Sequence, residues 1–341
     1  MKNKIPSSWK KKKIRNFSKV KGGKRLPKGA DFSSKKTGYP YLRVSDFKEG
    51  YIDDSNLEYL TEEIFKKISR YTINKDDLYI SIAGTIGIAG KVPSHLDGAN
   101  LTENAAKIYE IKNVNQDYLI YYLNSFYAQN QIKSLTGQTS QPKLALKRLR
   151  KIEVPVPPII EQRGIAEVLG TVDEAINQTQ QIIDKTEYLK QGLMQQLLTE
   201  GIGHTEYKET RIGKIPKTWI VEKLEKNLEL CDYGLNDALS EEGKTPVFRM
   251  NNIINGYIVE NDLKYLDLDD KTYSKYALKK GDILFNRTNS YDLVGKVGIY
   301  LMEGKHSFAS YLIRLRTNEK LNPKYLNYYL QTDIVDWFIT R

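Results

Sequence analysis

The sequence predicts an α+β protein built of two mixed α/β domains, related by duplication and separated by a long helix of coiled-coil type. Three observations predict it. An apolar register of seven residues runs from about Pro157 to Leu198. The segment ahead of that helix returns, some 210 residues on, as a second copy. Within each copy, β-branched and aromatic clusters alternate with Gly, Asp and Asn turns. The boundaries read as a first domain over 1–155, a spacer helix over 156–200 and a second domain over 201–341.

The helix rests on its punctuation. Pro157 and Pro158 open it, the glycines of TEGIG close it, and no proline lies between. One set of register positions is Ile165, Val172, Thr179, Thr186 and Leu193; the other is Leu169, Ile176, Ile183, Lys190 and Leu197. So narrow a stripe suits a helix lying along one other helix. At 1.5 Å per residue, about 40 residues span roughly 60 Å, more than the width of a small domain. A core helix of a large α/β enzyme is the alternative. Thr179, Thr186 and Lys190 interrupt the seam, and the flanks are rich in Gln, so a spacer is preferred. Ile165, Leu169, Val172, Ile176, Ile183, Leu193 and Leu197 are the expected seam toward a partner helix.

The duplication rests on matched segments. IPSSWKKKKIRNF (from Ile5) returns as IPKTWIVEKLEKNL (from Ile215), aligning Trp9 with Trp219. PYLRVSDFKEGYIDDSNLEYL (from Pro40) returns as PVFRMNNIINGYIVENDLKYL (from Pro246), pairing Arg43 with Arg249 and Gly50 with Gly256. KDDLYISIAGTIGIAGKV (from Lys75) matches KGDILFNRTNSYDLVGKV (from Lys280), sharing Asp77 and Asp282, and YLIYYL at Tyr118 matches YLNYYL at Tyr325. The offset stays between 205 and 210, which indicates a duplicated domain and not a solenoid. Strands are expected over Tyr39–Val44, Asp77–Ile82, Ile86–Val92 and Lys107–Ile111, and one helix over Gln116–Ser134. The second copy reaches Arg341 inside the helix equivalent to Phe126–Ser134, so the sequence reads as one and a half repeats.

Length and composition bound the function. At 341 residues, 40% of them apolar and 24 of them Tyr, each of two domains can bury a core. The net charge of +11 and pI near 9.2 make a polyanion the first candidate partner, nucleic acid before membrane. A Lys-, Asn- and Ile-rich proteome would also produce such a balance. The single cysteine, Cys231, leaves no disulfide framework and no thiolate metal site. MKNKIPSSWKKKK lacks the apolar core of a signal peptide, and LYISIAGTIGIAG is too short and too broken to span a bilayer. A soluble cytoplasmic protein is expected.

Enzyme chemistry finds no footing. GTIGIAGKV (from Gly84) has five residues between Gly84 and Gly90, and Val92 after Lys91, where a phosphate loop needs four and a hydroxyl. A glycine-rich turn between strands is the reading. His95, His204 and His306 are isolated, no GxSxG elbow occurs, and acidic pairs such as Asp53–Asp54 suit turns or a solvated face. No catalytic residue, metal or cofactor is expected.

The remaining features suit DNA. Basic residues cluster at Lys10–Lys13, Lys21–Lys28 and Lys143–Lys151, and neutralising phosphates with them would release counterions. The polar loops GQTSQ (from Gly137) and NRTNS (from Asn286) carry side chains able to read base edges, Arg toward G and Asn or Gln toward A. The candidate DNA contacts are Arg43, Ser45, Thr85, Gln138, Thr139, Gln141 and Lys143 in the first copy, with Arg249, Asn286, Arg287, Thr288 and Asn289 in the second. Taken singly, each is equally an ordinary turn, cap or surface residue.

With these motifs in view, the chain resembles the specificity subunit (HsdS) of type I restriction–modification systems. The resemblance lies in the I-P-x-x-W starts, the strand–turn pattern ending in GTIGIAGKVP, the GQTSQPKL loop, and IEVPVPPIIEQRGIAEVL leading into the helix. It covers essentially the whole chain. It implies two target-recognition domains, each binding half of a split site in double-stranded DNA. It implies that the long helix docks modification (HsdM) subunits and acts as a ruler between half-sites. Methylation and cleavage would belong to partner chains, HsdM and the restriction (HsdR) subunits, and this chain would be non-catalytic. A coiled-coil scaffold or adaptor with non-specific DNA contacts is the alternative function. The family pattern has a second constant region after the second recognition domain, and this sequence shows none. The seam is therefore expected to meet another chain, for example by antiparallel Ile165–Leu197 pairing with a second copy.

Overall fold

The computed structural model describes residues 6, 8–136, 142–288, 294–332 and 335. The chain divides into two compact units, 1–179 and 180–341.

In the first unit, one antiparallel sheet orders the strands Lys19–Gly22, Ala105–Tyr109, Leu78–Ser81 and Ala89–Lys91. A second sheet orders Glu58–Tyr59, Pro40–Leu42, Ala99–Leu101 and Thr72–Ile73, with Pro40–Leu42 parallel to Ala99–Leu101. The strand Leu78–Ser81 is buried throughout because both its faces are covered. Leu78 and Ile80 enter a core with Ile108, Leu119, Leu123 and Leu149, while Tyr79 points into another with Leu42, Phe47 and Leu101. Period-two alternation thus divides one apolar run between two cores.

The second unit repeats this plan. Its larger sheet orders Leu228–Tyr233, Leu312–Thr317, Ile283–Asn286 and Val297–Ile299, extended by Tyr257–Ile258 and Ile253–Ile254. Its smaller sheet orders Lys264–Leu266, Thr245–Phe248 and Ser307–Phe308, and here too the last two are parallel. Ile283 and Leu284 go to different cores, as Leu78 and Tyr79 do. The duplication seen in the sequence is therefore one of topology.

Three strands match the expected segments with trimmed ends, and the strand expected over Lys107–Ile111 lies two residues earlier, at Ala105–Tyr109. The expected helix over Gln116–Ser134 is instead two helices, Gln116–Asn124 and Phe126–Leu135. Ser125 breaks them with an extended backbone at ψ 153 and caps the second, its hydroxyl accepting from the Ala128 amide. Asn124 fixes the break by bonding both the amide and the carbonyl of Ala89, at 3.0 and 2.9 Å.

The long helix runs from Ile159 to Thr199, 41 residues. It stops at Gly201, whose φ of +68 glycine adopts without the strain a Cβ would bring. Its first turns are tied to the first unit. Buried Gln162 accepts from the Asn115 amide and donates to the Pro157 carbonyl, both at 2.8 Å, and the Tyr121 hydroxyl donates to Asp173 at 2.6 Å. The Lys10–Lys13 run is a strand paired antiparallel with Glu153–Val156, just ahead of this helix.

Candidate nucleic-acid interface

Three stretches far apart in sequence meet in the first unit. An antiparallel bridge joins Ala83 to Lys143, and the Leu144 amide donates to the Ile82 carbonyl at 2.8 Å. A methyl group on Gly84 would lie 4.0 Å from Val44 Cγ1. The 43–45 turn, the 84–85 turn and Lys143 are thereby neighbours, with Thr85 and Lys143 exposed. Gln138, Thr139 and Gln141 lie outside the described residues.

Arg43 is placed differently from its neighbours. Its Nη1 donates to Glu58 at 2.8 Å, and its Nη2 donates to Asp46 at 3.0 Å and to the Asn56 carbonyl at 2.7 Å. Ser45 also donates to Asp46, at 3.0 Å. Two carboxylates and a carbonyl in reach of one guanidinium make Arg43 a brace for its own turn. Arg249 keeps that place in the second unit, but Asn252 replaces Asp46 and cannot neutralise it. Its ion partner is Asp262, at 2.8 Å. The backbone turn persists: Arg43 N donates to Asp46 at 2.7 Å, and Arg249 N to Asn252 at 2.9 Å.

In the second unit, Asn286 is buried, its Nδ2 donating to the Thr288 carbonyl at 3.0 Å, and Thr288 is half-buried. Arg287 is exposed and stacks over Tyr233, guanidinium carbon to ring centroid 4.4 Å. Asn289 lies outside the described residues. Nothing in the sequence marks Tyr233, since a lone Tyr ending a strand carries no motif. Nor does it mark the contacts of His306, which reaches Tyr300 at 2.8 Å and Glu260 at 3.0 Å inside the unit.

Part of the basic surface is internally engaged. Arg148 and Arg150 each donate to a carbonyl at 2.8 Å, that of Leu135 and that of Val20. Lys21 and Lys24 lie over the Tyr71 ring at 5.4 and 5.8 Å. Among the described residues, no group of three or more His, Cys, Asp or Glu is placed to hold a metal ion, and no helix is long and apolar enough to cross a membrane.

Along the long helix, Leu169, Val172, Ile176, Ile183, Leu193 and Leu197 are 39% to 60% exposed. Ile165, at the foot, is half-buried against the first unit's core. There the stripe runs into an apolar groove walled by Trp9, Tyr122, Ile165 and Leu169.

The family described as type I restriction modification DNA specificity domain matches residues 6–188 and 220–339. The type I restriction enzyme MjaVIII specificity subunit of Methanocaldococcus jannaschii is 26% identical, over 96% of this chain and 76% of that protein. The EcoKI specificity subunit of Escherichia coli K12 is 22% identical, over 96% of this chain and 72% of its own. In fold, the chain is similar to the crystal structure of a type I restriction–modification system S subunit from M. genitalium. That likeness has a TM-score of 0.54 at 15% identity and covers 100% of this chain and 80% of that one.

Proposed function

The chain belongs to the type I restriction modification DNA specificity family, and from that premise we propose that it recognises a bipartite sequence in double-stranded DNA on behalf of a type I restriction–modification complex. The observation that carries this reading is the duplicated plan. Two units that share the order of four strands in the larger sheet and the parallel pair in the smaller supply two recognition bodies in one chain. Each body reads one half-site, and the helix joining them serves as the spacer. Thr85 and Lys143 contact DNA in the first body, with Arg287 and Thr288 in the second. The turns braced by Arg43 and Arg249 hold the reading loops.

Modification and restriction subunits are the partners, and methyl transfer and cleavage are their work. The bare stripe on the helix supports a helical partner along it, supplied by the modification subunit or by a second copy of this chain. The site of action is the cytoplasm. Methylation sequencing of a host with and without this gene tests the proposal. A bipartite methylated motif that appears only with the gene is expected; an unchanged methylome overturns the reading. The stripe also favours a second reading, a coiled-coil adaptor with non-specific DNA contacts, which predicts protein association without any motif.

A further inference from the structure

The two units share a backbone frame, and at one place they fill it in opposite ways. Lys24 N donates to the Leu101 carbonyl at 2.8 Å, and Leu235 N to the Phe308 carbonyl at 2.9 Å. Just before them, Gly23 and Gly234 press so close that an added methyl would lie 2.2 Å from those same carbonyl oxygens. Across the frame, Ile82 N donates to Asn104 and Arg287 N to Tyr311, at 2.8 and 3.2 Å. This correspondence sets Gly22 against Tyr233 and Ile82 against Arg287.

In the first unit the place is apolar and covered. Ile82 is 3% exposed, and a methyl on Gly22 would touch Leu146 at 3.4 Å. In the second unit it holds a planar cation on an aromatic face, with Tyr233 56% exposed. The guanidinium reaches the Ser310 carbonyl through Nε and Nη2 at 3.4 Å each, long for charged donors. Among the described residues, none accepts from Nη1. A structural brace would show short bonds to a carboxylate, as Arg314 does with Asp232 at 2.6 Å.

We infer that Tyr233 and Arg287 form one base-reading element, in which Tyr233 fixes the guanidinium plane and Arg287 takes the O6 and N7 acceptors of a guanine in the half-site of the second unit. The inference rests on the chain being a sequence-reading subunit. Guanine is the base whose major-groove edge offers two acceptors to an arginine fork. A plane fixed in advance favours that bidentate contact, since less side-chain freedom remains to be lost on binding. A phosphate also accepts the arginine fork, but a phosphate contact would weaken all sequences alike. Tyr233 is a positioning residue here, and it acts through Arg287.

The test co-expresses the full chain with its modification partner in a motif-free host and sequences the methylome. Wild type should show a bipartite motif with a guanine in one half. Arg287→Ala should cut the preference for guanine at that one position by roughly tenfold or more, leaving the other half-motif intact. Tyr233→Leu should relax the same position, and Tyr233→Phe should restore it. Arg287→Lys, which keeps charge without the fork, should relax it too. An unchanged motif in Arg287→Ala, or methylation weakened equally at all positions, overturns the inference while leaving the chain a specificity subunit. Absence of any motif with wild type overturns that reading, and this inference with it.

Discussion

Lys107 and Asp77 are 2.7 Å apart, nitrogen to oxygen, with side chains only 13% and 10% exposed. Arg316 and Asp282 repeat the contact in the second unit, also at 2.7 Å. Each carboxylate further accepts a backbone amide three residues upstream, from Asn74 at 3.0 Å and from Lys279 at 2.7 Å. Removing one partner strands a covered charge. Lys107→Met should therefore destabilise the protein by about 3–5 kcal/mol, while Lys107→Arg, which keeps the charge, should cost far less. Denaturant unfolding of the full-length variants checks this. Equal losses for Met and Arg would refute the charge argument.

The Asp77 and Asp282 pair was legible because both sit in matched segments, but their cations were not, since strand register sets Lys107 opposite Arg314, and the cation on Asp282 comes from Arg316, two residues farther on. The exposed apolar stripe of the long helix was legible from its register alone. The break at Ser125 was not, because Asn124 finds its partner at Ala89, a tertiary contact no periodicity reveals. The ion pair of Arg43 was not legible, because the sequence does not show Glu58 folding back onto it. The Ala83–Lys143 bridge brings together residues sixty apart, and the pairing of Tyr233 with Arg287 has no trace in the first copy.

Tyrosine burial predicts alkaline sensitivity. Burial pushes the hydroxyls of Tyr79 and Tyr118 above the ordinary tyrosine value. The fold therefore favours their neutral forms. That contribution is complete below about pH 10, where unfolded tyrosine titrates, and is lost as pH rises through the folded values. Tyr118→Phe forgoes a 2.6 Å bond to the Pro155 carbonyl and should cost about 1 kcal/mol at pH 7. Its deficit against wild type should shrink above pH 10. Urea midpoints at pH 7, 9 and 10.5 measure this; a constant deficit would refute it.

Arg43 and Lys143 should respond in opposite ways. Arg43→Ala leaves Asp46 and Glu58 without their cation and should destabilise by about 1–3 kcal/mol with the methylated motif unchanged. Lys143→Ala, at an exposed position, should leave unfolding untouched. It should weaken DNA binding for all sequences and lower the slope of log affinity against log salt by about 0.9, the share of one phosphate. Titration of duplex DNA at three salt concentrations reads the slope. No change in slope would remove Lys143 from the interface.

The exposed stripe should govern association and not folding. Ile176→Glu is at a position 60% exposed, so the circular-dichroism melt of the chain should stay within about 0.5 kcal/mol of wild type. Paired with Leu169→Glu, it should abolish co-purification with the modification subunit or, in the chain alone, shift sedimentation from a dimer to a monomer. Unaltered association in both assays would show that the stripe is no interface.

Helix length should set the motif's spacer. Repeating Gln178–Asp184 inserts seven residues, which keeps the apolar register in phase and lengthens the helix by roughly 10 Å. At about 3.4 Å per base pair, that matches three further base pairs. Methylome sequencing should then find both half-motifs unchanged and the undefined spacer between them about three positions longer. A spacer of unchanged length would show that the distance is fixed elsewhere in the complex.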